Sequence, residues 1–358
     1  MRRSEWQTLG RVLANDLAPR TASESVVLSD RPHARLLRLG TADQFAAARE
    51  AGTVPVLLVP PLAVPARCYD LAPGVEPANS VVEFLLSIGT VPYLVDFGDV
   101  SRADRDLGFE DFFETIVPQA ISEVVDDFAA GPASVDLMAW SLGGTISYMT
   151  AAYNHDLPIR SISTVGTPLD YMKIPPYPIV RKLLGPTGGR PANYVLDALA
   201  GIPAPIVRLV YRGLAFEREL RKPMYILKNL DNQDALVRMQ VIDRFQNELP
   251  GYPGRVAQQM LQNFVLRGEL ERGVLHFDNH TVDLTTVTAP LLMTGSHRDN
   301  IAPYGAVRHA VDVFTSASYV EFHTVESSHL GMLTGEDAQR YTWPAIKAFR
   351  ERLDAERL

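Results

Sequence analysis

The stretch Val135-Asp136-Leu137-Met138-Ala139-Trp140-Ser141-Leu142-Gly143-Gly144 constrains this chain more than any other. An apolar run ends at a serine, small residues follow, and a helical pattern begins with Thr145-Ile146-Ser147-Tyr148-Met149. That order predicts a strand, a tight turn that thrusts the serine outward, and a helix. A sharp bend with a strained middle residue leaves little room two positions before and after it. Ala139 and Gly143 hold those positions, and Gly144 lets the new helix pack closely on a sheet. The serine hydroxyl is then expected at a helix N-terminus, beside backbone N–H groups. The motif departs from G-x-S-x-G only at Ala139. Apolar strands also run into Ser-Gly turns for folding reasons alone, so the rest of the chain must supply a base, an acid and an oxyanion site.

The flanking sequence repeats one rhythm. Short runs at Val56–Val59, 91–96, 134–139, 160–166, 290–295 and 319–325 read as strands, and the continuous apolar run Val56–Val59 is what a strand buried on both faces requires. Between them lie helical patterns over 79–88 and 304–313 and a longer one over 109–128 in which Pro118 predicts a kink, and a last helix over 344–353 closes the chain. An amphipathic helix over 4–18 and two strands within 25–39 precede them. The alternation predicts an α/β fold, a mostly parallel central sheet with helices on both faces and active groups on loops at the carboxyl ends of the strands. The rhythm breaks over 168–287, where prolines cluster and helical segments fall around 192–217 and 234–269. This predicts a mainly helical cap inserted between a first core part, 1–167, and a second, 288–358. The largely apolar run 202–216 is expected to pack within that cap rather than to face lipid, and an apolar cap suits a substrate with an acyl chain.

Bulk properties narrow the function classes. With 358 residues, a net charge of -8 and no basic block, a nucleic-acid partner is not expected. The single cysteine, Cys68, excludes an internal disulfide and a multi-cysteine metal site. The N-terminal residues lack the apolar core of a signal peptide, and no run approaches the roughly 18 apolar residues of a spanning helix. A cytoplasmic location is the resulting expectation.

A neutral serine needs a base within hydrogen-bond reach, and the base needs an acid to fix its tautomer. Eight histidines compete. His33 and His155 read as far from any carboxyl strand end. His309 falls inside a helix and His323 in mid-strand. His276 and His280 lie near Asp278 and Asp283, but that segment reads as strand and turn rather than the helix a metal-binding pair at this spacing would need. Of His297 and His329, the second follows the last strand, where a base can reach back over the elbow. Asp299, after the preceding strand, is the preferred acid, with Asp96 and Asp99 in reserve. The order Ser141, Asp299, His329 is that of α/β-hydrolases. For the oxyanion, Leu142 follows the serine at the helix start. In the loop after Val56–Val59, Pro60 and Pro61 have no N–H to give, so the first available second donors are Leu62 and Ala63, with Leu62 preferred.

These residues carry a resemblance. Pro60-Pro61, Asp70-Leu71, Asn79-Ser80-Val81-Val82, 91–97, Ser141-Leu142-Gly143-Gly144-Thr145, 263–270, Val282-Asp283-Leu284, Asp299-Asn300-Ile301-Ala302-Pro303 and Ser328-His329 resemble the polyhydroxyalkanoate synthase branch of the α/β-hydrolase superfamily over roughly residues 55–335. The resemblance implies an acyl-enzyme mechanism with the nucleophile at Ser141, the acid at Asp299 and the base at His329. That family uses a thiol at the elbow. Here it is a serine, and Cys68 lies in no elbow motif. Hydrolysis of an acyl ester or thioester is therefore the first expectation, acyl transfer to an alcohol the second, and a non-enzymatic inclusion-binding protein the third. No metal or organic cofactor is implied, and peripheral contact with lipid or polymer inclusions is compatible with the resemblance.

Overall fold

The computed structural model describes residues 3–75, 79–128, 134–214 and 216–356. The strands are β1 (Ser25–Ser29), β2 (Arg35–Leu39), β3 (Val56–Val59), β4 (Pro92–Asp96), β5 (Val135–Trp140), β6 (Ile159–Val165), β7 (Gly201–Ile202), β8 (Tyr252–Pro253), β9 (Val274–Phe277), β10 (His280–Asp283), β11 (Leu291–Ser296) and β12 (Val320–Val325). Eight of them form one sheet in the order β1-β2-β4-β3-β5-β6-β11-β12. The β1–β2 and β2–β4 pairs are antiparallel, and every other pair in the sheet is parallel. This is the α/β-hydrolase fold, with β3, β5, β6, β11 and β12 pointing their carboxyl ends to one edge.

The buried strands sort their side chains by the two-residue period of the pleat. On β5, Val135, Leu137 and Ala139 enter one core with the helix Leu142–Tyr153. Met138 and Trp140 enter the other, where they join Trp343, Ile346 and Phe349 of the C-terminal helix Trp343–Glu356.

The predicted strands and most predicted helices are present, with differences that have local causes. The N-terminal helix is Arg3–Leu13 and stops short of 18, because Asn15 turns left-handed and the N–H groups of Leu17 and Ala18 donate to Gln240 Oε1. In place of a kink at Pro118, a wide turn over Asp111–Ile116 precedes a regular helix, Val117–Asp127, with the proline in its first turn. The helix Ala42–Ala51 has no counterpart in the sequence reading. Its signal is Thr41 and Gln44, which cap it reciprocally, and Gly52, which ends it left-handed. The 304–313 pattern is two short helices, Tyr304–Arg308 and Ala310–Val313.

The chain leaves the large sheet after Val165 and returns at Leu291. Between these points it forms helices Tyr177–Leu184, Arg190–Leu199, Ala204–Leu214, Phe216–Lys228, Gln233–Asn247 and Gly254–Gln259, with β7 pairing β8 and β9 pairing β10. Val256, Phe264, Leu275 and Leu284 from its later part are buried in the same core as the helix Leu142–Tyr153. The run 202–216 departs from expectation. Val207 is buried, but Ile206, Leu209 and Val210 are exposed, as are Ile179, Leu183 and Tyr194 nearby in the chain. The side chains of 214–219 lie outside the described residues. No helix among the described residues is long and apolar enough to cross a membrane.

At the amino edge of the sheet a buried ion cluster ties the last helix down. Asp136 at the start of β5 accepts from Arg160 Nε at 2.8 Å, from Ser161 Oγ at 2.7 Å and from Arg350 Nη1. Arg350 also donates to Val54 O at 2.8 Å. Removing Asp136 leaves Arg350 charged and buried without its carboxylate, whereas Asp136 keeps Arg160 when Arg350 is removed. Asp136→Leu should therefore lower unfolding free energy by about 3–5 kcal/mol in urea denaturation, and Asp136→Leu combined with Arg350→Met should cost less than the two single changes together.

Candidate active site

Ser141 directly follows β5 and directly precedes the helix Leu142–Tyr153, with φ 52° and ψ -126°. A serine at positive φ is strained by about 1–3 kcal/mol, and surrounding bonds hold it there. Its N–H donates to Val165 O at 2.9 Å, and its carbonyl accepts from Gly144 N–H and from Thr167 Oγ1, both at 2.9 Å. The two glycines have separate reasons. A Cβ on Gly143 would lie 2.3 Å from Val59 O, and one on Gly144 would lie 2.1 Å from Thr167 Oγ1. Ala139 is fully buried between Val59 of β3 and Thr164 of β6.

Asp299 and His329 meet from the loops after β11 and β12. His329 Nδ1 lies 2.6 Å from Asp299 Oδ2, and both side chains are almost wholly buried. The other carboxylate oxygen, Oδ1, accepts the N–H groups of Ile301 at 2.8 Å and Ala302 at 3.0 Å, which orients the acid. A carboxylate on Nδ1 leaves Nε2 as the nitrogen available to a reacting group. Ser296 Oγ donates to Ser327 O at 2.6 Å and accepts from Ser327 N–H at 3.1 Å, joining the two loops. The imidazole lies over Gly166, where a Cβ would be 3.0 Å from His329 Cε1, and beside Trp140, whose ring centroid is 5.0 Å away. Gly166 and Trp140 adjoin Val165 and Ser141, the two residues joined by the elbow hydrogen bond.

No family model matches the chain. Among curated proteins, the poly(3-hydroxyalkanoate) polymerase subunit PhaC of Allochromatium vinosum is 25% identical over 305 residues, covering 85% of this chain and 82% of that protein. The PhaC subunit of Haloferax mediterranei is 24% identical over 294 residues, covering 82% of this chain and 58% of that protein. The chain is similar to these PhaC subunits over most of its length. Among solved structures, the carboxylesterase CesB of Bacillus subtilis aligns over 97% of this chain and 98% of its own, at 14% identity and a TM-score of 0.46.

The remaining sequence candidates lie elsewhere in the chain. Asp96 accepts from Gly98 N–H at 2.9 Å, and Asp99 is exposed. His297 is exposed and stacked on Tyr304 at 3.9 Å. His33 corrects the reading by position. It stands beside the end of β4, because β2 runs antiparallel to β4, and its ring nitrogens bond Phe97 O and Asp104 at 2.8 and 2.9 Å. His309 bonds Glu271 O at 2.7 Å, and His323 lies on β12 beside Glu321. His276 and His280 sit on the β9–β10 hairpin, where His280 Nδ1 shares a 2.8 Å bond with Tyr153 OH. Cys68 is fully buried, and burial pushes its thiol well above the ordinary range.

Leu142 is the first residue of its helix, where an N–H has no intrahelical partner. Leu62 is buried two residues after Pro60, whose carbonyl packs at Gly143. A cavity of about 680 Å³ is lined by Asp299, His329 and Leu330 on one side and by Tyr211, Met239 and Ile242 of the inserted helices on the other. Sequence reading missed Trp140, Gly166, Thr167 and Ser296, which look like ordinary strand-end residues. The strain at residue 141 is testable: Ser141→Gly should be more stable than Ser141→Ala by about 1 kcal/mol in chemical denaturation, because glycine adopts positive φ freely.

Proposed function

We propose that this chain is a serine acyl hydrolase that works through an acyl-enzyme on Ser141. The observation that carries the reading is a strained serine at the end of β5 together with a buried histidine–aspartate pair in the loops after β11 and β12. In the proposed cycle, Ser141 Oγ attacks the acyl carbonyl while His329 Nε2 takes its proton. The N–H groups of Leu142 and Leu62 stabilise the oxyanion. The tetrahedral species collapses, the carbon–oxygen or carbon–sulfur bond to the leaving group breaks, and the imidazolium returns the proton to it. Water, deprotonated by His329, then attacks the acyl-serine, the acid departs and Ser141 regains its proton. Asp299 accepts the hydrogen bond from Nδ1–H throughout and balances the imidazolium. The inserted helices act as a cap over the acyl chain.

A second reading is favoured by the relatives, which are named as polymerase subunits: an alcohol in place of water would receive the acyl group. The resemblance puts Ser141 where that family carries a thiol. An oxygen ester is less activated than a thioester, so transfer to an alcohol is slower and water competes better. The exposed apolar residues Leu183, Leu209 and Val210 are compatible with peripheral contact with a lipid or polymer inclusion.

Intact-mass analysis after treatment with a fluorophosphonate should show one adduct, absent in Ser141→Ala. Hydrolysis of p-nitrophenyl esters should fall by about 10⁴-fold in Asp299→Asn. Absence of the adduct from folded protein sinks the reading. Ester products that dominate over free acid when an alcohol is added would favour transfer instead.

A further inference from the structure

Trp140 has no part in the proton transfers, yet it touches the proposed base in two ways. Its indole Nε1–H donates to the carbonyl of His329 at 3.3 Å, and its ring lies 5.0 Å from the imidazole, inclined by 34°. Both residues are buried. The indole also meets Phe245 of the inserted helix Gln233–Asn247, with ring centroids 6.5 Å apart. Phe245 is itself held: the Arg67 guanidinium lies 5.8 Å from its ring centroid and pairs with Glu248, the residue that ends the helix.

A histidine on a loop keeps a productive orientation only if its backbone and its ring are both restrained. Asp299 restrains the ring at one nitrogen, which still permits rotation about that bond. The indole supplies a backbone tie and a packed face. We propose that Trp140 is a positioning residue for His329, and that Phe245 backs it, so that the inserted helix 233–247 bears on the orientation of the base through one aromatic contact. The inference rests on His329 acting as the base.

Two measurements test it. With a p-nitrophenyl ester as probe, W140F should lower kcat about tenfold and W140L about a hundredfold, because small misplacement of a reacting group costs up to about 10² in rate. KM should stay within about twofold in both, since no binding group is removed. F245A should lower kcat about tenfold, and adding it to W140L should lower kcat little further. The second measurement needs no substrate. Trp140 emission, taken as wild type minus W140F, should change in a pH titration as the imidazole beside it takes up a proton, and the change should vanish in H329Q. Loss of activity that only follows loss of folded protein, or a rise in KM at constant kcat, overturns the positioning role. So does a pH-dependent Trp140 signal that persists in H329Q. A His329-dependent signal in a wild type that neither hydrolyses esters nor takes the fluorophosphonate would sink the hydrolase reading while upholding the contact.

Discussion

The site depends on one strained backbone position. Ser141 cannot hold φ 52° by itself, and a strand running straight into a helix has no room for the bend unless its neighbours are small. Gly143 lets the end of β3 approach, and Gly144 admits Thr167 from the loop after β6. The hydrogen bond from Ser141 N–H to Val165 O then fixes the elbow to the adjacent strand. Three neighbouring strand ends thus converge on one residue, and the first turn of a helix faces the same point.

The loops beyond β11 and β12 complete the arrangement from the far side. Parallel pairing of β11 with β6 and with β12 brings their carboxyl ends level. The Ser296–Ser327 bonds then hold the two loops together, so Asp299 and His329 meet although 30 residues separate them. Gly166 provides the space in which the imidazole lies.

The inserted segment behaves differently in its two parts. Its later residues, such as Val256 and Phe264, share the core of the sheet. Its earlier helices leave Leu183, Leu209 and Val210 exposed, although their periodicity resembles that of helices that bury one face. An amphipathic pattern specifies that a face is apolar, but it does not specify what covers it.

The local sequence determined much of the fold. A continuous apolar run marked β3, because a strand covered on both faces has no polar side to show. The spacing of Ala139, Ser141 and Gly143 marked the elbow, because the bend itself excludes larger side chains. Chain order alone placed Asp299 and His329 after successive strands. Tertiary structure decided what lies across the sheet. His33 reaches the end of β4 only because β2 is antiparallel to it, and Trp140 reaches His329 and Phe245 only because the pleat turns it to that face. Such contacts depend on strand order and register, which join residues far apart in the chain and leave no periodic trace within it.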